Sequence, residues 1–399
     1  MRRGAWHQCG DRSQKLVQEQ LGQGNGVGAI ISPRDLAFQN AEAYADEYRT
    51  LGAEVLLDQQ FYIPDFANEN LASYPVSQHR AAVSQMNQIS DASLDVLADD
   101  LELSNRTLGV SALIAPAVIY EAARGDIVQL NARMFSAAKR AGNALGVPTY
   151  ATVVLGRSVT SSMQTLSPVL SQVTGLDADG WYLVFQFDAP RIPSAQDDVE
   201  RAGKVLLTLA CTGAPVLHAY AGPMSLLSLG FGATAAGVGH AQNTWQFTPE
   251  RWQTPSGQGG GGDAPARFFS TGLWGTVIYP DETAVLPTAV QAQVMAHSPF
   301  STAVAQRPPQ DWSRWDANKH LVYVIGQTIG EIAEVFTARN CANAAVDVLR
   351  RAVALHETIH SAGVRLRDGT SNYQANWMAA IESTLRDAIA DYNYLEMLA

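Results

Sequence analysis

The chain has 399 residues, 47% of them hydrophobic and 16% charged, which excludes general disorder and gives enough apolar material for one barrel-sized domain or two ordinary ones. A net charge of −11, from 27 basic and 38 acidic residues, opposes a general nucleic-acid surface. Three distant cysteines (Cys9, Cys211, Cys341) exclude a disulfide scaffold and point to a reducing, cytoplasmic compartment. No apolar run approaches the ~20 residues a membrane helix needs, and the start Met1-Arg2-Arg3-Gly4-Ala5-Trp6 lacks the apolar stretch of a signal peptide.

Residues 1–26 are expected as an N-terminal arm, with Gly22 to Gly28 as a flexible lead-in. Gly28-Ala29-Ile30-Ile31 predicts a first strand, followed by a helix from Leu36 to Leu51 that stops at Gly52. Glu54 to Asp58 predicts a second strand. A long polar insertion and a helix ending near Gly109 precede a third, Val110 to Ile114. A helix from about Asp126 to Leu145 leads to a fourth strand at Thr149–Val154. Trp181–Phe187 is the fifth, followed by a helix from about Gln196 to Cys211. Val216–Tyr220 is the sixth. A short helix around Met224–Leu229 precedes the seventh at Thr234–Val238, and Leu273–Tyr279 is the candidate eighth.

Continuously apolar strands separated by helical patterns predict a parallel sheet covered by helices. Eight such units predict an α/β fold, a (β/α)8 TIM-like barrel, spanning 27–319. An open doubly wound sheet would instead carry a Gly-rich phosphate turn directly after a strand, and none follows one here. Within the barrel region, the Gly-rich stretch 256–262 is expected to be a mobile loop. Residues 320–399 predict a C-terminal helical segment packed on the barrel, its middle helix carrying the stripe Val348, Ala352, Leu355, Ile359, Ala362.

In such a barrel the reactive groups gather where the strands end. That rule selects Asp58, Asp188, His218 and His240 as candidate catalytic residues. Arg34, Gln60, Tyr62, Gln186, Arg191 and Tyr220 are candidate substrate contacts. A carboxylate closing an apolar strand is desolvated, so its ionised form must be held by a cation or by donors. Two such acids, Asp58 and Asp188, could divide acid and base roles. The alternatives are helix capping or, for Asp188, pairing with Arg191. Strand alternation places His218 and Tyr220 on one side; a packed core histidine is the other reading of His218, and a tight turn that of His240.

His356-Glu357-Thr358-Ile359-His360 matches HExxH, which on a helix sets two imidazoles one turn apart; with Glu382 it defines a zinc alternative. The competing reading, histidines packed on a helix surface, is preferred, so no metal and no cofactor is expected outside that alternative.

Asp58-Gln59-Gln60-Phe61 resembles the Asp–Ser–Gly–Gly–Phe segment of tRNA-guanine transglycosylase-like barrels. Leu355-His356 with Leu385-Arg386-Asp387-Ala388-Ile389, and Ala266-Arg267-Phe268-Phe269-Ser270, are similar to later segments of that family. The resemblance implies a barrel that binds a small or nucleotide-like ligand, with Asp58 as a base-recognition or acid–base residue and His356 at a ligand position. The chain departs from the family at its zinc cysteines, of which Cys341 stands alone, and at its nucleophilic aspartate, where Val238-Gly239-His240-Ala241 is found. The expectation is therefore a cytoplasmic barrel protein taking a small-molecule ligand. Its alternatives are a non-catalytic component binding a protein partner or forming a homo-oligomer, and a zinc metallopeptidase.

Overall fold

A computed structural model describes residues 1–85, 89–187, 192–241, 244–252, 266–295, 298–301, 312–335, 337–367 and 373–390. Eight parallel strands form one sheet: β1 Gly4–Gln8, β2 Gly28–Ile31, β3 Glu54–Leu57, β4 Leu113–Ile114, β5 Thr149–Leu155, β6 Gly180–Phe185, β7 Val216–His218 and β8 Ala235–Gly239. Their order is β3-β2-β1-β8-β7-β6-β5-β4. Across the remaining seam, the Ser111 N–H donates to the Val55 carbonyl at 2.9 Å, which brings the sheet round into a nearly closed TIM-like barrel.

The strands are short and almost wholly buried, as a parallel sheet covered by helices requires. Those helices include α1 Gln14–Gly22, α2 Phe38–Thr50, α3 Asp91–Leu108, α4 Gly125–Leu145, α5 Met163–Val173 and α6 Gln196–Ala210. Beyond the barrel, α7 Arg314–Ala333 lies against β1, and α8 Ala338–Ser361 and α9 Tyr373–Ala390 pack on one another, with α9 also on α6. In α8 the buried stripe takes in Ala345, Leu349, Ala352, Leu355 and Ile359; Val348 is half-buried and Ala362 exposed.

Two expectations change. The arm at 1–26 is not an arm: it supplies β1 and α1, and β1 is the stave joining β2 to β8. Leu273–Tyr279 is not a barrel strand. Its residues join β10 (Gly275–Ile278), which pairs antiparallel with β9 (Arg267–Ser270) in a separate hairpin. That hairpin has its own apolar cluster, in which Phe268, Leu273 and Val277 meet Leu355 and Ile359 of α8. The Gly-rich loop at 256–262 lies outside the described residues.

Register fixes which side chains enter the barrel. Trp6 aligns with Gly28 and Gly237, and Gln8 with Ile30 and Gly239; Thr152 aligns with Tyr182, and Tyr182 with Leu217. Residues aligned in parallel strands face the same way, so these form layers across the lumen. Gly28 makes room for the Trp6 ring. A Cβ there would stand 2.5 Å from Trp6 Cζ3 and 2.6 Å from the Glu54 carbonyl oxygen, and backbone cannot yield. Gly28→Ala is therefore expected to cost about 2–3 kcal/mol, read as a lowered urea midpoint with an unchanged denaturant slope.

Candidate functional site

Asp58 directly follows β3 and is fully buried. Among the described residues no cation faces it; hydroxyls do. Its Oδ1 accepts from the Tyr62 hydroxyl at 2.6 Å and the Gln60 N–H at 3.1 Å. Its Oδ2 accepts from the hydroxyls of Tyr182 and Tyr220, each at 3.0 Å. Gln60 extends the chain of donors, its Nε2 donating to the Tyr220 hydroxyl at 3.1 Å and to Ser32 Oγ at 2.9 Å. Its Oε1 accepts from the Arg34 N–H at 3.0 Å. Every bond to Asp58 is donated towards it, the arrangement that suits a carboxylate rather than an acid.

Two forces act on the Asp58 proton. Burial pushes the carboxyl above its ordinary range, and the Tyr62, Tyr182 and Tyr220 phenols with the Gln60 N–H pull it back. Burial, reinforced by the nearby carboxylate, drives the hydroxyls of Tyr62 and Tyr182 well above the phenol value. Those phenols stay protonated as donors; the titrating centre of the cluster is Asp58.

The backbone is bent to build this arrangement. Gln60 has φ of +54° and Tyr220 of +52°, a region that costs a side-chain-bearing residue about 1–2 kcal/mol. Tyr220 is the informative case. His218 aligns with Leu183, one position off the inward layer of Tyr182 and Leu217, so it faces the helical shell. The left-handed residue at 220 returns the tyrosine to the lumen.

The expected pairing of His218 with Tyr220 is therefore corrected. The His218 Nδ1 stands 2.8 Å from Ser228 Oγ and its ring meets Phe185 edge-on at 5.2 Å, and burial lowers its pKa to about 3. It is a packed core imidazole.

The loop after β3 is stapled by Arg80, whose guanidinium donates to the carbonyls of Gln60 and Ile63 at 2.8 Å and of Phe66 at 3.1 Å. Above the network, Tyr62 meets Phe247 at 5.4 Å and Trp252 at 5.7 Å edge-on. The Arg34 guanidinium lies 5.7 Å from the Phe66 ring and 5.8 Å from Trp252 and is paired with Asp35 at 2.8 Å.

Of the other candidates, Gln186 is half-buried and accepts from the Arg157 N–H at 3.2 Å, outside the cluster. His240 is half-buried behind β8, against Gly10, and is not among the partners of Asp58. Asp188 and Arg191 lie outside the described residues.

In the HExxH segment, His356 is half-buried and takes a bond from Gln374 Nε2 at 3.2 Å. Burial lowers its pKa while the Leu273 backbone pulls it up. His360 and Glu382 are exposed. Among the described residues no three His, Cys, Asp or Glu side chains stand where they could share a metal ion. Cys341 is buried and takes a bond from the Arg3 guanidinium at 2.9 Å. None of the described helices is long and apolar enough to cross a membrane.

Two participants escaped the sequence reading. Tyr182 lies mid-strand in an apolar run, and the usable signal was that a phenol buried there must find an acceptor. Gln8, on the unrecognised β1, is 1% exposed. Its amide oxygen and nitrogen both lack a hydrogen-bond partner. That oxygen lies 3.3 Å from where a Cβ on Gly237 would stand, on the inward face of β8.

The fold and this cluster define a TIM-like (β/α)8 barrel with a polar centre at the carboxyl end of its strands. No protein-family profile matches the chain, and no curated protein does. Among solved structures, the chain is similar to a fungal multi-domain GH3 beta-N-acetylglucosaminidase with a GCN5-related glucosamine N-acetyltransferase region, at TM-score 0.37 and 13% identity. That match covers 60% of this chain and 34% of the other, so the chain spans about a third of that protein. It is also similar to dihydrodipicolinate synthase from Oceanobacillus iheyensis, at TM-score 0.33 and 10% identity over 98% of both chains.

Proposed function

We propose that this barrel takes up a small polar or nucleotide-like ligand at the carboxyl ends of its strands, and that Asp58 exchanges a proton with it. The observation that carries this reading is the Asp58 cluster. A buried carboxylate is ringed by donors from β6 and from the loops after β3 and β7, two of them set in left-handed backbone. Strain of that kind collects at functional sites. Gln8 adds support, since a buried amide with neither atom bonded suits a ligand's donor and acceptor. Near the rim the half-buried Arg34 guanidinium is the accessible group, backed by the buried Phe66 and Trp252 rings.

Asp58 is also what the resemblance to transglycosylase-like barrels contributes. With Val238-Gly239-His240-Ala241 at the end of β8, the chemistry proposed is proton transfer rather than covalent base exchange.

The test is a calorimetric and turnover screen against nucleobases, nucleosides and small hydroxy compounds. Gln8→Leu removes an amide bonded to nothing and should leave stability unchanged while weakening a bound ligand at least about tenfold. Asp58→Asn should lower turnover by about 100-fold or more; turnover at the wild-type rate in that variant removes the proposal.

One observation favours a second reading. Asp58 is wholly enclosed and both its oxygens are doubly satisfied, as in a polar plug that fixes the core of a non-catalytic partner-binding protein. In that case Asp58→Asn alters stability and no ligand of any class is found.

A further inference from the structure

Away from the barrel mouth, α7 turns Gln327 and Glu331, one turn apart, towards two cavities. The first, about 350 Å³, lies between the hairpin turn, α7 and α8. Its walls include Trp274, Tyr323, Thr328, Val348 and Arg351. The second, about 330 Å³, lies at the amino ends of β1 and β2, where Arg3, Asn25, Gly330 and Glu334 close it. Gln327 and Glu331 border both, so the two adjoin across these side chains as neighbouring lobes.

We propose that this cleft binds a free amino acid. Glu331 stands in the last turn of α7, and its carboxylate suits an ammonium group. Arg351 reaches the same lobe from α8 with a planar fork of donors that suits a carboxylate. Both side chains are exposed. Although opposite in charge and lining the same lobe, they form no ion pair with each other within 4.0 Å, nor with any other described residue.

Two opposed charges held apart in a cavity fit a molecule that carries both. Tyr323 and Gln327 supply neutral hydrogen-bonding groups between them, and Val324 and Val348 an apolar floor. The volume falls at the lower end of small-ligand pockets, about 300–1,000 Å³. The side chain of the amino acid extends past Gln327 into the second lobe, where Arg3 and Glu334 favour a polar one. Glu331 and Glu334 repel a polyanion, and Arg351 a metal ion.

Gly330 supplies a clean variant. A Cβ there would meet no atom within 4 Å, and replacing a glycine inside a helix adds helical propensity. Gly330→Phe therefore fills the second lobe without loosening the fold.

The experiment titrates the full chain calorimetrically with each proteinogenic amino acid up to about 10 mM. At least one is expected to bind, and Arg351→Met and Glu331→Gln are each expected to weaken it at least about tenfold. Gly330→Phe should exclude large side chains while sparing glycine, and Asp58→Asn should leave binding at this cleft unchanged. The proposal is overturned if no amino acid binds in that range, or if binding survives Arg351→Met. Loss of binding in Asp58→Asn, with folding intact, would also overturn it by moving the ligand to the barrel mouth.

Discussion

Asp58→Ala is expected to lower the unfolding free energy by about 4–6 kcal/mol, close to the whole stability of an ordinary domain. The loss comes from what is left behind. Three hydroxyls and one N–H now aimed at the carboxylate would be buried without an acceptor, at about 1–3 kcal/mol each before relaxation. Asp58→Asn should cost less than half as much. Its oxygen still accepts from Tyr62 and Gln60, and its amide can donate to hydroxyls that rotate to accept. Urea midpoints of the two variants give the comparison directly. Equal midpoints for wild type and Asp58→Ala would contradict a tightly bonded centre.

Acid should unfold this protein well before its surface carboxylates are all protonated. Burial lowers His7 and His320 to about 4 and His218 to about 3, all below the ordinary histidine value of 6.5. Each imidazole thus holds its proton less tightly folded than unfolded. Its contribution to stability is whole above pH 6.5 and is lost as pH falls through the folded value. At 1.36 kcal/mol per pKa unit this amounts to about 3 kcal/mol for His7 and for His320 and nearly 5 for His218. The sum rivals the stability of a typical domain.

Asp58 works in the opposite sense. Its raised carboxyl value adds stability at low pH that disappears as pH rises through it, and one such group does not offset three imidazoles. A circular-dichroism titration should show cooperative loss of helix between about pH 6 and pH 4. His218→Gln, which keeps a partner for Ser228 without a titrating ring, should move the midpoint to lower pH. A midpoint unchanged by that substitution would show that His218 does not carry the transition.

Much of the barrel was legible because burial writes itself into parallel strands as unbroken apolar runs, such as Ala29-Ile30-Ile31 and Val153-Val154-Leu155. The first stave was hidden because His7 and Gln8 interrupt such a run. His7 faces the shell, where its Nε2 meets the Asn25 carbonyl at 2.6 Å, and Gln8 faces the lumen, so polarity at both positions has a tertiary cause. The hairpin failed for the converse reason: Gly275-Thr276-Val277-Ile278 reads like any strand, and nothing local states that its neighbour runs antiparallel.

At the candidate site, Asp58 could be picked out as a charge ending an apolar stretch, which physics obliges to have partners. The identity of those partners could not. Tyr182 and Tyr220 lie 124 and 162 residues away, and Tyr220 reaches the carboxylate only because its φ is +52°. Period-two reasoning gave it the same side as His218, and a single left-handed residue reversed that.

The joint between β3 and β4 bears on how this molecule breathes. Elsewhere neighbouring staves share ladders, whereas here the link is Ser111 to Val55, with Ile119 to Tyr62 beyond the strand ends, at 2.9 and 3.2 Å. The cylinder can unzip along this line while β5 to β8 stay knitted together, so amide protons at Ser111 and Ile119 should exchange through a partial opening cheaper than global unfolding. Because Asp58 directly follows β3, that same opening is a route by which water, or a guest molecule, reaches an otherwise sealed carboxylate.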